Sequence, residues 1–137
     1  MVTKALPFEN LNVLVVEDDD ASFLLLEEFL CDYKLHLIHA CNGEEALSHI
    51  VSGTPLHLAI IDVRLPHETD GLQLAVRIRE RRPGLGIIIQ TATILSVLQR
   101  LTLMNLDCDY FTKPLDLDRF CKSVCRNLER SLTRKSG

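Results

Sequence analysis

The chain has 137 residues and a formal net charge of −4 at pH 7, a size at which a single core can bury roughly 68% of the extended-chain surface. An acidic balance offers no footprint for direct nucleic-acid binding, and no apolar run reaches the ~20 residues of a membrane span. The polar start, Met1 to Asn10, lacks the basic and apolar regions of a secretory signal, so a cytoplasmic location without membrane attachment is expected.

Periodicity then alternates between strand and helix. A first strand is expected over Asn12 to Val16, ending in Glu17, Asp18 and Asp19. Asp20-Ala21-Ser22 opens a helix whose apolar face carries Phe23, Leu26, Phe29 and Leu30, with Asp19 or Asp20 as its cap. A second strand follows at Leu35 to Ala40, and Asn42-Gly43 starts a helix with Ala46, Leu47 and Ile50 inward. Ser52-Gly53-Thr54-Pro55 punctuates before a third strand, Leu56 to Ile61, which runs into Asp62. The third helix spans Leu72 to Arg82 and stops before Pro83-Gly84. A fourth strand, Ile87 to Gln90, ends at Thr91-Ala92, and a helix from about Leu95 to Met104 leads to a fifth strand, Cys108 to Thr112. Lys113-Pro114 closes that strand, and the last helix is expected over Leu117 to Arg130.

Strands alternating with helices of this length imply an α/β fold with a parallel sheet covered on both faces. Right-handed crossovers select a doubly wound five-stranded sheet of order 2-1-3-4-5, with its switch point between the first and third strands. That order brings Asp18 and Asp62 together at the carboxyl edge, where open α/β sheets bind ligands. Three carboxylates within about 4 to 6 Å repel by several kcal/mol at an effective dielectric near 20, so a cation belongs there. Mg²⁺ suits hard oxygens and retains water, leaving positions for a phosphoryl donor. Lys113 can pair with a carboxylate or with a phosphoryl oxygen. The five cysteines, an odd set without a C-x-x-C spacing, read as reduced thiols, and the five histidines stay unassigned.

Taken together, the residues resemble the receiver domains of two-component response regulators. The resemblance covers nearly the whole chain as one receiver domain, 1–137 with a core of about 10–131. It rests on Glu17-Asp18 after the first strand, Asp62 after the third, Thr91-Ala92 after the fourth and Tyr110-Phe111-Thr112-Lys113-Pro114 at the fifth. It implies a flavodoxin-like, CheY-like fold with Asp62 as phosphoacceptor. Glu17 and Asp18 are then the acidic pair serving Mg²⁺ or Mn²⁺, with Asp18, Asp62 and the Arg64 backbone carbonyl as protein ligands and Glu17 acting through water. Thr91 resembles the switch hydroxyl beside Ala92, Tyr110 the switch aromatic and Lys113 the phosphate-contacting lysine, joined to Pro114 by a cis bond.

The implied function is a signalling phosphoacceptor, not an enzyme beyond its own phosphorylation and dephosphorylation. Its implied partners are a sensor histidine kinase or histidine phosphotransfer protein upstream, and an effector or output domain downstream. Because the chain ends shortly after the last helix, a stand-alone switch is one reading, and the receiver portion of a longer regulator or hybrid kinase is another. A metal-dependent aspartyl phosphohydrolase ranks below both, since Arg64 stands where such enzymes place a second acid. Two departures stand out. The loop from Val63 to Gly71 is one residue longer than usual, and the fourth helix, with Leu95, Val97, Leu98, Leu101, Leu103 and Met104, carries the single charge Arg100. A helix so apolar calls for a cover, hence an expected homodimer or partner contact through the fourth helix, fifth strand and last helix.

Overall fold

The computed structural model describes residues 8–67 and 70–135. Five parallel strands, β1 (Asn12–Val16), β2 (His36–Ala40), β3 (Leu58–Asp62), β4 (Gly86–Thr91) and β5 (Asp109–Thr112), form one sheet in the order β2-β1-β3-β4-β5. Between them run α1 (Asp20–Leu30), a short 3₁₀ turn at Cys31–Tyr33, α2 (Gly43–Val51), α3 (Gly71–Arg81) and α4 (Val97–Leu106). The chain closes with α5 (Leu117–Lys135).

The alternation of side chains along each strand divides the interior into two cores. Leu14, Val16, Ala59, Ile61, Ile87 and Ile89 face α2, α3 and α4, whereas Val13, Val15, Leu58, Ile60 and Ile88 face α1 and α5. Continuing that parity past the apolar runs sends Glu17, Asp62 and Gln90 toward the α1 and α5 side, and Thr91 and Tyr110 toward α4. The order and both-face covering match the expected doubly wound architecture.

Element ends differ from expectation where tertiary contacts decide them. β3 starts at Leu58 rather than Leu56; just before it His57 is tied to Asn12 at the start of β1, its backbone N–H donating to the Asn12 carbonyl at 2.8 Å and its ring Nδ1 accepting the Asn12 N–H at 3.0 Å. α4 starts at Val97, because Leu95 is drawn into the core ahead of Ser96. Ser96 and Gln99 then form a capping box. α5 continues past Arg130 to Lys135, with Leu132 packed against the α1 and α5 core. At the other end Phe8 is buried, its ring edge-on to that of Tyr33. Asp19 is the α1 cap, its Oδ2 accepting the Ser22 N–H at 3.1 Å. In the lengthened loop Arg64 bridges to Asp70, while Glu68 and Thr69 lie outside the described residues.

A second polar cluster ties β5 to α5. Asp109 accepts hydrogen bonds from the Ser123 hydroxyl, from Arg126 at 3.0 Å and from Asn127 at 3.3 Å. Burial works to raise the Asp109 carboxyl, but these donors outweigh it and hold its pKa below the ordinary 3.8. A carboxylate with a depressed folded-state pKa adds stability above its unfolded pKa, and that stability is lost as pH falls through the folded value. Below pH 3.8 the wild-type denaturation midpoint is therefore expected to drop more steeply than that of Asp109→Asn. Parallel slopes in a pH series of urea titrations would contradict this.

Candidate functional site

The carboxyl edge of the sheet gathers the polar strand ends into one open pocket of about 460 Å³ between the β1, β3 and β4 loops. Glu17, Asp18, Asp62, Thr93 and Lys113 line it, with Arg64 at the rim. β1 and β3 are direct neighbours, so the acids at their ends share the pocket as the strand order requires.

Lys113 is the centre of this arrangement. Its Nζ donates to Asp62 Oδ2 at 2.7 Å and to Glu17 Oε1 at 3.0 Å. The other Asp62 oxygen, Oδ1, accepts the Arg64 backbone N–H at 3.0 Å, and Glu17 Oε2 accepts that of Asp19 at 3.2 Å. Both Glu17 and Asp62 are buried, while Asp18 is exposed at the pocket mouth. Burial pushes the Glu17 carboxyl above the ordinary 4.5, against the pull of Lys113. For Lys113, burial works to lower the pKa, but the hydrogen bonds to Asp62 and Glu17 outweigh it and hold the ammonium above 10.5. The lysine is thus a firm cation between two acids, and it offsets the repulsion foreseen from the sequence.

Among the described residues no three acidic, histidine or cysteine side chains close into a metal cage. The Lys113 ammonium spans Glu17 and Asp62, and the open set of carboxylate oxygens at this pocket fits a hard ion such as Mg²⁺, which keeps several waters, rather than a caged metal. All five cysteines are free thiols, Cys108 being pushed up to about 11 chiefly by burial.

Thr91 is fully buried, and its Oγ1 accepts the Thr93 N–H at 3.0 Å and lies 2.9 Å from the Thr93 hydroxyl. Tyr110 pairs in register with Ile89 on β4 and is 36% exposed. The Lys113 N–H donates to the Thr91 carbonyl at 2.8 Å, and the Lys113–Pro114 bond is cis. Ala92 lines the pocket beside Thr93.

A sequence profile of the response regulator receiver domain matches residues 13–125. The chain belongs to this family. The receiver domain here is 35% identical over 111 residues to the DNA-binding transcriptional regulator NtrC of Salmonella typhimurium, covering 77% of this chain and 22% of that protein. It is 30% identical over 129 residues to the transcriptional regulatory protein ZraR of the same organism, covering 93% of this chain and 28% of that one. The chain thus spans about a quarter of the length of these curated relatives. A CheY-like receiver domain protein from Methanospirillum hungatei superposes with a TM-score of 0.79 at 23% identity, covering 94% of this chain and all of that one, which establishes the fold. The BeF3-activated DrrB receiver domain gives 0.73 at 26% identity, covering 88% of this chain and 98% of that one.

Four further residues take part around this site. His39 Nε2 lies 2.6 Å from the Glu17 carbonyl oxygen, its ring stacked on Phe23 at 3.9 Å. Thr93 holds the Thr91 hydroxyl. Gly71 donates its N–H to the Val63 carbonyl at 2.7 Å, pressing the α3 terminus onto the strand end that carries Asp62. Gln90 is 1% exposed, and neither its Oε1 nor its Nε2 has a hydrogen-bond partner, a condition that costs about 1–3 kcal/mol. An isolated Gln at a strand end looks like any solvated polar residue, so only packing reveals it as an orphan.

Proposed function

We propose that this receiver takes a phosphoryl group onto Asp62 from a sensor histidine kinase or histidine phosphotransfer protein. The added charge then switches the α4, β5 and α5 face for an effector, an output domain or a second copy of the chain. The observation that carries this reading is the Lys113 ammonium bridging Asp62 and Glu17 at 2.7 and 3.0 Å in an open pocket. The Asp62 carboxylate attacks phosphorus in line, the bond from phosphorus to the donor breaks, and the donor imidazole leaves with the electron pair. Lys113 shifts from the Asp62 carboxylate to a phosphoryl oxygen as charge spreads there.

Asp18, Asp62 and the Arg64 backbone carbonyl would hold Mg²⁺, or Mn²⁺, with Glu17 reaching it through water. When bound, the ion neutralises charge on the transferred group. Arg64 stands two residues beyond Asp62 as an exposed cation, which disfavours a phosphohydrolase acting on other substrates, since the second acid is missing. The domain catalyses only its own phosphorylation and dephosphorylation. No helix among the described residues is long and apolar enough to cross a membrane, and the proposed setting is the cytoplasm. Both named relatives are transcriptional regulators several times longer, which favours operation as the receiver portion of such a regulator.

Phosphorylation competes with Thr93 for the Thr91 hydroxyl, and Tyr110, on the same sheet face, turns inward as space opens. Moving such an equilibrium from 1:99 to 99:1 takes about 5.5 kcal/mol, within reach of a few charge-assisted hydrogen bonds plus repacking. The output face is markedly apolar: Ile94, Val97, Leu98, Leu101 and Met104 are all more than half exposed. An uncovered stripe of this kind marks a docking surface.

Incubation of the whole chain with acetyl phosphate and Mg²⁺ tests the reading by intact mass. One added phosphoryl group, released by hydroxylamine and absent under excess chelator, is the expected result, and labelling indifferent to chelation would refute the metal-assisted step. Asp18→Asn is expected to weaken Mg²⁺ binding by roughly tenfold, equivalent to about 1.4 kcal/mol of lost attraction, as read by calorimetry. The fold should persist, because the Asp18 side chain is exposed and an amide of the same size fits in its place. Unfolding of this variant would instead assign Asp18 a structural role.

A further inference from the structure

α5 carries two cysteines four residues apart, Cys121 and Cys125, on the flank that turns toward α1. Both are half-buried free thiols, packed with Phe29 of α1 and Tyr33 of the 3₁₀ turn at the edge of the α1 and α5 core. The Cys121 Sγ lies 4.0 Å from the Phe29 carbonyl oxygen. Hydrogen bonding to the Cys125 thiol and burial push the Tyr33 hydroxyl above its ordinary 10, and Cys121 adds to the effect, so one phenol stands beside both sulfurs. Residues i and i+4 of a helix hold their Cβ atoms about 5–6 Å apart. A disulfide needs about 3.5–4.5 Å, so the pair does not close on itself. Two metal–sulfur bonds of about 2.3 Å, placed end to end, suit the wider gap.

We propose that Cys121 and Cys125 bind a soft monovalent cation, copper(I), between their two sulfurs. As the two bonds to the metal form, both thiol protons leave to water, and the product is a two-coordinate bis-thiolate with one net negative charge. Thiolates select copper(I) or zinc among the common metals, and the number of donors decides between them. Structural zinc takes four strong ligands. Among the described residues no third cysteine, histidine or carboxylate joins the pair, and a phenol with a raised pKa holds its proton too firmly to serve as an anionic ligand. Copper(I) is satisfied by two thiolates. The remaining cysteines stand elsewhere: Cys31 is exposed after α1, Cys41 follows β2, and Cys108 packs against the other core. Neither Cys121 nor Cys125 lines the acidic pocket, and occupancy requires neither Asp62 nor Mg²⁺.

The test supplies copper(I) to the reduced 137-residue chain, in the absence of oxygen, as its bicinchoninate complex, whose colour fades as the metal transfers. One equivalent is expected to move to the protein, with nuclear magnetic resonance showing saturable shifts at the backbone amides of Cys121, Cys125 and Tyr33. Equimolar Zn²⁺ should not displace it. Asp62→Asn should take up the same equivalent, which separates this site from the phosphoacceptor. The double variant Cys121→Ser/Cys125→Ser should leave the metal with the chelator. The converse variant, Cys31→Ser/Cys41→Ser/Cys108→Ser, should keep the full equivalent, and it decides the matter should the double variant fold poorly. Absence of transfer, uptake undiminished in the double variant, uptake lost in the converse variant, or shifts confined to the other cysteines would overturn the proposal.

Discussion

Replacing Asp62 by Asn is expected to abolish phosphoryl labelling, a loss of at least about a hundredfold in initial rate, because the amide oxygen is no longer an anionic nucleophile. The fold should survive. The substituted amide keeps an oxygen able to accept the Arg64 N–H, which the carboxylate accepts at 3.0 Å, and Lys113 retains Glu17 as its counter-ion. A buried ion pair is weak evidence for stability, so losing one of the two carboxylates on Lys113 should shift unfolding by no more than about 1–2 kcal/mol. Two measurements are therefore needed together: intact-mass labelling with acetyl phosphate, and a urea midpoint. Labelling that survives the substitution would move the acceptor elsewhere, whereas joint loss of labelling and fold would leave Asp62 a structural acid whose variant cannot report on chemistry.

Gly71→Ala is the second large effect, and its sign separates local propensity from tertiary packing. Alanine favours helix over glycine by up to about 1 kcal/mol, so the first residue of α3 read alone predicts stabilisation. The structure predicts the reverse. A Cβ on Gly71 would overlap the Asp62 carbonyl oxygen and stand 2.8 Å from its carbon and 2.9 Å from Val63 Cα. These are backbone atoms of the central strand and its continuation, which no rotamer change can move aside. Relief demands that α3 lift off β3 or that the Asp62 peptide rotate, at a cost of about 3 kcal/mol or more. A fall in melting temperature of roughly 10 °C is expected by calorimetry. The same shift would disturb the Asp62 side chain, so residual labelling should drop as well. An unchanged or raised melting temperature would mean that the α3 terminus is not clamped as described.

Much of the molecule was legible from the sequence because the two cores demand it. Each strand buried on both faces reads as an unbroken apolar run, and an acid ending such a run has nowhere to go but the sheet edge. The strand order followed from handedness, and it alone puts Glu17 and Asp62 close enough to share Lys113. Apolar composition of α4 likewise pointed to an apolar outer face, and Val97, Leu98, Leu101 and Met104 are all more than half exposed. Helix and strand ends were less legible. Leu95 belongs to the core yet precedes its helix, and α5 carries on to Lys135 with no local stop signal after Arg130.

What the order of residues determined by itself, then, was the layered architecture and the set of chemical groups at its edge, since both follow from alternation, chirality and the cost of burying charge. Only the tertiary structure decided which groups are satisfied. Lys113 is claimed by two carboxylates, Thr91 by Thr93, and Gln90 by none. Hydrogen bonds between residues far apart in the chain depend on ångström-scale approach of separate elements, and no one-dimensional pattern encodes that distance.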